Sequence, residues 1–251
     1  MKQTLIDIVQ SILSDLNSDE VNSIGDTVES LQVANIVKNT YFAMMATRNW
    51  AHLREAVEFV AAGDLTKPTH MRLPDGTKEL EFVNYNKQKQ GETRLRYSEM
   101  KYIDPDAFLR RSNQLNSDNA NVDIVTDFSG VQLLIRNDLA PSYYTTFDDR
   151  YVVFDSYDST EDSTLIADKI QAMAYMTPSW SMTDDHTPDM PAEAFPALYN
   201  EALSVAAYRL NQSADQKAEQ ESVRQDTWLA RKNRRINNVI KKPNYGRNTR
   251  K

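Results

Sequence analysis

The sequence contains no cysteine. That excludes disulfides, thiolate metal sites and a cysteine nucleophile, and it fits synthesis in a reducing cytoplasm. Glycine is scarce, with only 6 residues. Loops that cradle phosphate need closely spaced glycines, and neither a P-loop nor a G-x-G-x-x-G run is present. The histidines are His52, His70 and His186, far apart, with no H-E-x-x-H among them. There is no Gly-x-Ser-x-Gly elbow. No apolar run approaches about 18 residues, so no transmembrane helix is expected. The start, MKQTLIDIVQSILSDL, is amphipathic and carries acids, unlike a signal peptide. With 40% apolar and 26% charged residues, the chain of 251 reads as a soluble globular protein of one large domain or two smaller ones.

Charge is present but uneven. The net charge is −7, yet from Val223 onward ten Lys and Arg face a single acid, Asp226, which leaves that stretch at +9 and the preceding body at −16. Its last part is Lys241, Lys242, Pro243, Asn244, Tyr245, Arg247, Arg250 and Lys251 with their neighbours. Such a tail has three readings: phosphate contact with nucleic acid, an arm that orders on docking into an acidic groove, or a solvated end. Only Tyr245 interleaves with the cations after Pro243, which is thin for a base-stacking platform.

The stretch from Ile24 to Trp50 predicts a long helix, uninterrupted by Pro or Gly from Thr27 on. Asp26 and Glu29 have capping-box spacing. Val28, Leu31, Ala34, Val37, Tyr41 and Met44 form one apolar stripe; Val33, Ile36 and Met45 form a second. A face that wide demands more than one neighbour. Residues 3–17 predict a first helix, 192–212 another with stripes through Leu198 and Tyr199, and 214–240 a last one, polar first and basic later. Between them the period changes to that of strands, with turn signals at Gly63-Asp64, Pro74-Asp75-Gly76 and Ser129-Gly130. A short helix is expected over Pro105 to Asn113. Residues 164–177 suit helix by propensity and strand by context, and strand is the reading adopted.

The fold class expected is α+β, a discontinuous helical bundle formed by both chain ends with a β-rich, sandwich- or barrel-like insertion. The boundaries are 1–54 and 191–240 for the helical halves, 55–190 for the insertion and 241–251 for the basic arm. Two acidic clusters invite a metal reading. Asp155, Asp158, Glu161 and Asp162 offer hard oxygen ligands but lack EF-hand spacing and its glycine. Asp184-Asp185-His186 lies in a proline-rich loop with no second cluster in view. The plainer reading of both is a solvated connection.

Ser23-Ile24-Gly25-Asp26-Thr27, a helix closing on Arg48-Asn49-Trp50, and then a strand together resemble the head-to-tail adaptor (tail tubular protein A) family of tailed bacteriophages. The end agrees: Tyr199, Ala202, Ala206 and Arg209 lie in a helix followed by a polar helix rich in Gln and Glu. The resemblance covers both ends, and the middle matches by architecture alone. It implies a structural virion protein at the head–tail junction, without catalysis, metal or cofactor. Such a protein forms a homo-oligomeric ring, typically a dodecamer, beneath the portal protein. The ring extends the channel for packaged DNA and receives tail tube, nozzle or fibre proteins, with no membrane partner. It also implies that the C-terminal arm, Lys241 to Lys251, reaches the portal. Helices apolar on two faces then offer Val33, Ile36, Met45, Trp50, Tyr199, Leu203 and Trp228 as subunit-interface candidates. The alternative is a nucleic-acid-binding protein acting through its basic tail.

Overall fold

The computed structural model describes residues 2–213 and 215–238, with side chains as far as Arg234. The chain is α+β, with helices from both ends and a curled mixed β-sheet between them. It divides into two compact units: the chain up to Leu53 with that from Thr177 on, and Arg54–Met176. Among the described residues no helix is long and apolar enough to cross a membrane.

In the helical unit α1 spans Leu5–Asp15. Thr4 and Asp7 form a reciprocal capping box, with the two bonds at 3.3 and 3.1 Å. Leu5, Ile8, Val9, Ile12 and Leu13 are buried along one side, the arc a helical repeat dictates. The helix stops as Asn17 turns left-handed at φ 57°.

Helix α2, Val28–Ala46, is shorter than the apolar stretch suggests. Its cap is Thr27, not Asp26: the Ser30 amide donates to the Thr27 hydroxyl at 3.0 Å, and the Thr27 amide to the Ser30 hydroxyl at 3.1 Å. Asp26 is already engaged, accepting from the amides of Asn22 and Ser23 at 2.8 and 2.9 Å, and Glu29 accepts from the Ser18 hydroxyl at 2.7 Å. With that carboxylate holding the incoming turn, the next hydroxyl takes over the first free amides of the helix. The apolar stripe also shifts. Val33, Ala34, Ile36, Val37, Tyr41 and Met45 are buried, whereas Val28 is 76% and Leu31 45% exposed. The two stripes therefore merge into one core-facing arc, because α1 and the helix that begins at Phe195 both pack on α2 and also meet each other.

Helix α4, numbered after the α3 of the β unit, spans Phe195–Asn211 and buries Ala197, Ala202, Ala206 and Ala207 beside Phe195, Leu198 and Leu203. Small side chains let α2 and α5 approach it closely. Gln212 ends it at φ 52°, and Asp215 caps α5, Gln216–Asn238, by accepting from the amides of Lys217 and Ala218 at 3.0 Å. The loop from Thr177 to Pro191 packs on this helical core. Trp180 lies 5.1 Å from the Tyr41 ring, Asp184 accepts from the Ile24 amide at 2.8 Å, and Met190 is buried.

The β unit holds an eight-stranded sheet in the order β1-β10-β4-β5-β8-β9-β3-β2. The strands are β1 Arg54–Val57, β2 Val60–Ala61, β3 His70–Arg72, β4 Thr77–Asn86, β5 Tyr97–Tyr102, β8 Tyr143–Thr146, β9 Tyr151–Phe154 and β10 Ile170–Met176. All neighbours are antiparallel except β5 and β8. A parallel pair requires a long crossover, and this one contains α3, Pro105–Ser112, and the hairpin of β6, Val122–Thr126, with β7, Gln132–Arg136. The ambiguous 164–177 stretch is strand at β10, preceded by a 3-10 turn at Ala167–Lys169. Tertiary pairing with β4 on one side and β1 on the other outweighs its helical propensity. A bulge leaves Glu81 as an extra residue opposite β10, and Glu81 pairs with Arg54 of β1.

Candidate functional site

The residues that close α2 form the best-defined polar assembly of the helical unit. Trp50 is 3% exposed, and its indole N–H donates to the Met44 carbonyl at 3.1 Å, folding the chain back over the last turn of α2. The Arg48 guanidinium lies 5.2 Å from the centre of the Trp50 ring and donates from Nη2 to both carboxylate oxygens of Asp226 on α5, at 2.6 and 2.8 Å. The carbonyl of Asn49 accepts from the Asn233 side-chain amide at 2.7 Å. Asp226 and Asn233 are two helical turns apart on one side of α5, about 10 Å along its axis. Ala218, Ser222 and Leu229 are buried on that same side. Ser222 pairs with Glu201 of α4, and Lys232 pairs with Glu193 while lying 5.5 Å from the Trp228 ring centre. The last helix is therefore keyed along its length, with a desolvated aromatic and a charged fork at the centre. Beside it α2, α4 and α5 leave a cavity of about 510 Å³ lined by Ile36, Ala43, Met44, Val205 and Val223.

Of the seven subunit-interface candidates, Val33, Ile36, Met45, Trp50 and Leu203 are buried within the helical unit itself. They complete the core because α1 and α4 together cover the apolar arc of α2. Tyr199 is half-buried and its hydroxyl donates to Asp15 at 2.6 Å; burial, then this hydrogen bond and the Asp15 charge, push its pKa up. Trp228, at 47% exposure, keeps large apolar surface outside. The arm Lys241, Lys242, Pro243, Asn244, Tyr245, Arg247, Arg250 and Lys251 lies outside the described residues.

The acidic clusters hold loops. Asp155 accepts from the amides of Ser142 and Tyr143, each at 2.9 Å, and Asp158 from the amide and hydroxyl of Thr160 at 3.1 and 2.6 Å. Glu161 accepts from the Gln90 amide at 2.7 Å, and Asp162 pairs with Lys169. Asp184 ties the loop to Ile24, and His186 is half-buried, its pKa lowered by burial. Among the described residues no group of three or more His, Asp and Glu is placed to hold a metal.

One contact was not read from the sequence. His70 of β3 meets Asp127 at the tip of the β6–β7 hairpin, Nε2 to Oδ1 3.0 Å. The His70 side chain is 0% exposed, and burial lowers its pKa against the opposing pull of Asp127. Burial works to raise the Asp127 pKa but is outweighed by hydrogen bonds from Ser129 and His70, so it is lowered. Phe128 meets the His70 ring edge-on at 5.6 Å and stacks on Tyr151 at 4.2 Å. The pair pins the hairpin tip to the sheet. The two residues are 57 apart in the chain, and Asp127-x-Ser129-Gly130, which signals a turn, was the only local hint.

No protein-family model matches the chain, and no curated protein matches it. Among solved structures it is similar to a chain described as the neck of an empty GTA particle computed with C6 symmetry, with 11% identity over 84% of this chain and 83% of that one, at a TM-score of 0.24.

Proposed function

We propose that this chain is a structural head-to-tail adaptor of a phage-like particle, a ring subunit that joins a portal to tail components and carries no catalysis. The observation that supports this is the use made of Arg48-Asn49-Trp50, the element on which the family resemblance rests. Each of these residues contributes to seating α5, by the fork to Asp226, the carbonyl to Asn233 and the ring beneath the guanidinium. The helix that leads into the basic arm is thereby rooted in a packed core, as an arm that bears load between particle parts requires. The charge distribution agrees, since a wall facing DNA should repel phosphate and the first 222 residues sum to −16. The His70 imidazole, sealed from solvent, has the geometry of a tie between strands and hairpin rather than of an accessible base.

A variant lacking Lys241–Lys251, incubated with portal rings, tests the reading. The expected result is an unchanged circular dichroism spectrum and loss of portal binding. Unchanged docking overturns the arm's role. Steep, salt-dependent affinity for duplex DNA that disappears with the same deletion would favour the nucleic-acid reading instead.

A further inference from the structure

The helical unit is polarised in charge. Residues 3–37 contain six acids, Asp7, Asp15, Asp19, Glu20, Asp26 and Glu29, and no Lys or Arg. Asp19 and Glu20 are exposed and make no ion pair among the described residues. Their loop is tied to the start of α2 by the Ser18–Glu29 hydrogen bond at 2.7 Å, and there Val28 and Leu31 leave apolar surface open, at 76% and 45% exposure.

At the other end of the chain α5 buries Ala218, Ser222, Leu229 and Asn233. Its opposite side presents Arg224, Trp228, Arg231 and Arg234, all exposed. These span eleven residues, about 15 Å of helix from first to last. Among the described residues Arg224 pairs with Glu221 alone, at 3.3 Å on the same helix, and Arg231 and Arg234 form no ion pair. The keyed contacts on the buried side prevent α5 from rolling to hide this stripe.

We propose that this outward face of α5 docks on the α1–α2 end of a second copy, Trp228 against Val28 and Leu31, with Arg231 and Arg234 opposite Asp19 and Glu20. One face carries cations around an exposed aromatic, and the other carries anions beside exposed aliphatics, so each supplies what the other lacks. An exposed ion pair by itself contributes little, and the apolar centre contributes most of the affinity while the charges set register and orientation. The two surfaces are different parts of one chain, so the contact is heterologous and repeats from copy to copy, closing into a ring where the rotation permits. The inference rests on the ring-forming part of the adaptor reading and adds the surfaces that meet.

Sedimentation velocity of the full chain across concentration and salt tests it. The wild type associates at low salt and less at high salt. R231E/R234E weakens association by about tenfold or more, D19K/E20K does the same, and the four changes together restore it. Trp228→Ala weakens it without altering the salt dependence. Three results overturn the inference: a monomer up to about 1 mM at low salt, swapped variants that associate like the wild type, or a four-fold variant no better than the pairs. Portal docking keeps the two readings separable. A monomer that still binds portal rings removes this interface alone, and a chain that associates as described without binding portal removes the adaptor reading alone.

Discussion

Val37 and Leu31 fall in the same apolar stripe of the sequence, yet the structure buries Val37 at 0% exposure and leaves Leu31 at 45%. Replacing each by alanine separates core from surface. Val37→Ala removes two methyl groups, about 1.6 kcal/mol of transfer free energy at about 0.8 per carbon. The void adds about 1 kcal/mol, given about 24 cal/mol per Å³ and a residual volume on the order of 40 Å³. Packing from α1 and α4 leaves little freedom to collapse, so the expected loss is about 2–3 kcal/mol. Leu31→Ala removes more carbon, but nearly half of it is already in water and alanine is at least as good a helix former, so the loss is under about 1 kcal/mol. All three tryptophans, Trp50, Trp180 and Trp228, belong to the helical unit. Urea unfolding followed by tryptophan fluorescence therefore reports on that unit without the β-sheet. With an m-value of about 2 kcal/mol/M, Val37→Ala lowers the midpoint by about 1 M and Leu31→Ala by less than half that. Equal shifts, or a larger one for Leu31→Ala, would refute the rotation assigned to α2.

Other expectations follow from the same geometry. Asn233→Ala leaves the Asn49 carbonyl without its donor and costs about 1–2 kcal/mol, seen as faster hydrogen exchange in α5 but not in α1. Tyr41→Phe removes the 2.9 Å bond from its hydroxyl to the Asp189 carbonyl and costs about 1 kcal/mol; in the wild type burial, then the Asp189 charge, hold that phenol at about 12, so it should ionise only in strong alkali by ultraviolet titration. Thr27→Ala destabilises α2 by about 0.5–2 kcal/mol in the fluorescence assay, and no loss would return the cap to Asp26. For His70 the folded pKa lies below the ordinary 6.5. The unfolded chain then binds more protons below that value, so stability is full above about pH 6.5 and falls as the pH drops toward the folded pKa, by at most about 1.4 kcal/mol per pH unit. Near-ultraviolet circular dichroism of the β unit, compared with His70→Phe, measures it; an unchanged slope in the variant would remove His70 as the source.

Helices at both ends with strands between them were legible because periodicity switches from 3.6 to 2 near Trp50 and turn residues punctuate the middle; the proline-rich loop of residues 177–190, expected within the insertion, falls instead with the helical unit. The curled sheet's order was not legible. Nothing local announces that β10 inserts between β1 and β4, or that β5 and β8 run parallel, since such pairings are decided by contacts between distant residues. On α2 the pattern showed a wide apolar arc but not its use. Both stripes could serve one large core or a core and an interface, and only the positions of α1 and α4 decide for the former. The Arg48-Asn49-Trp50 element was visible as a motif, whereas its partners Asp226 and Asn233 were indistinguishable from other polar residues of a polar helix. His70 and Asp127 were opaque for the same reason.

The discontinuity of the helical unit has a consequence in time. Helices α1 and α2 leave the ribosome with their apolar arcs bare, and α4, which covers α2, follows only after about 150 further residues. At roughly 5–20 residues per second that delay is about 7–30 s. Meanwhile the β unit closes as β10 arrives between β1 and β4, bringing the synthesised chain to the point where the helical partner emerges next. The nascent chain therefore carries a sticky helical hairpin through most of its synthesis, and chaperone binding in the cell should concentrate on Leu5 to Met45.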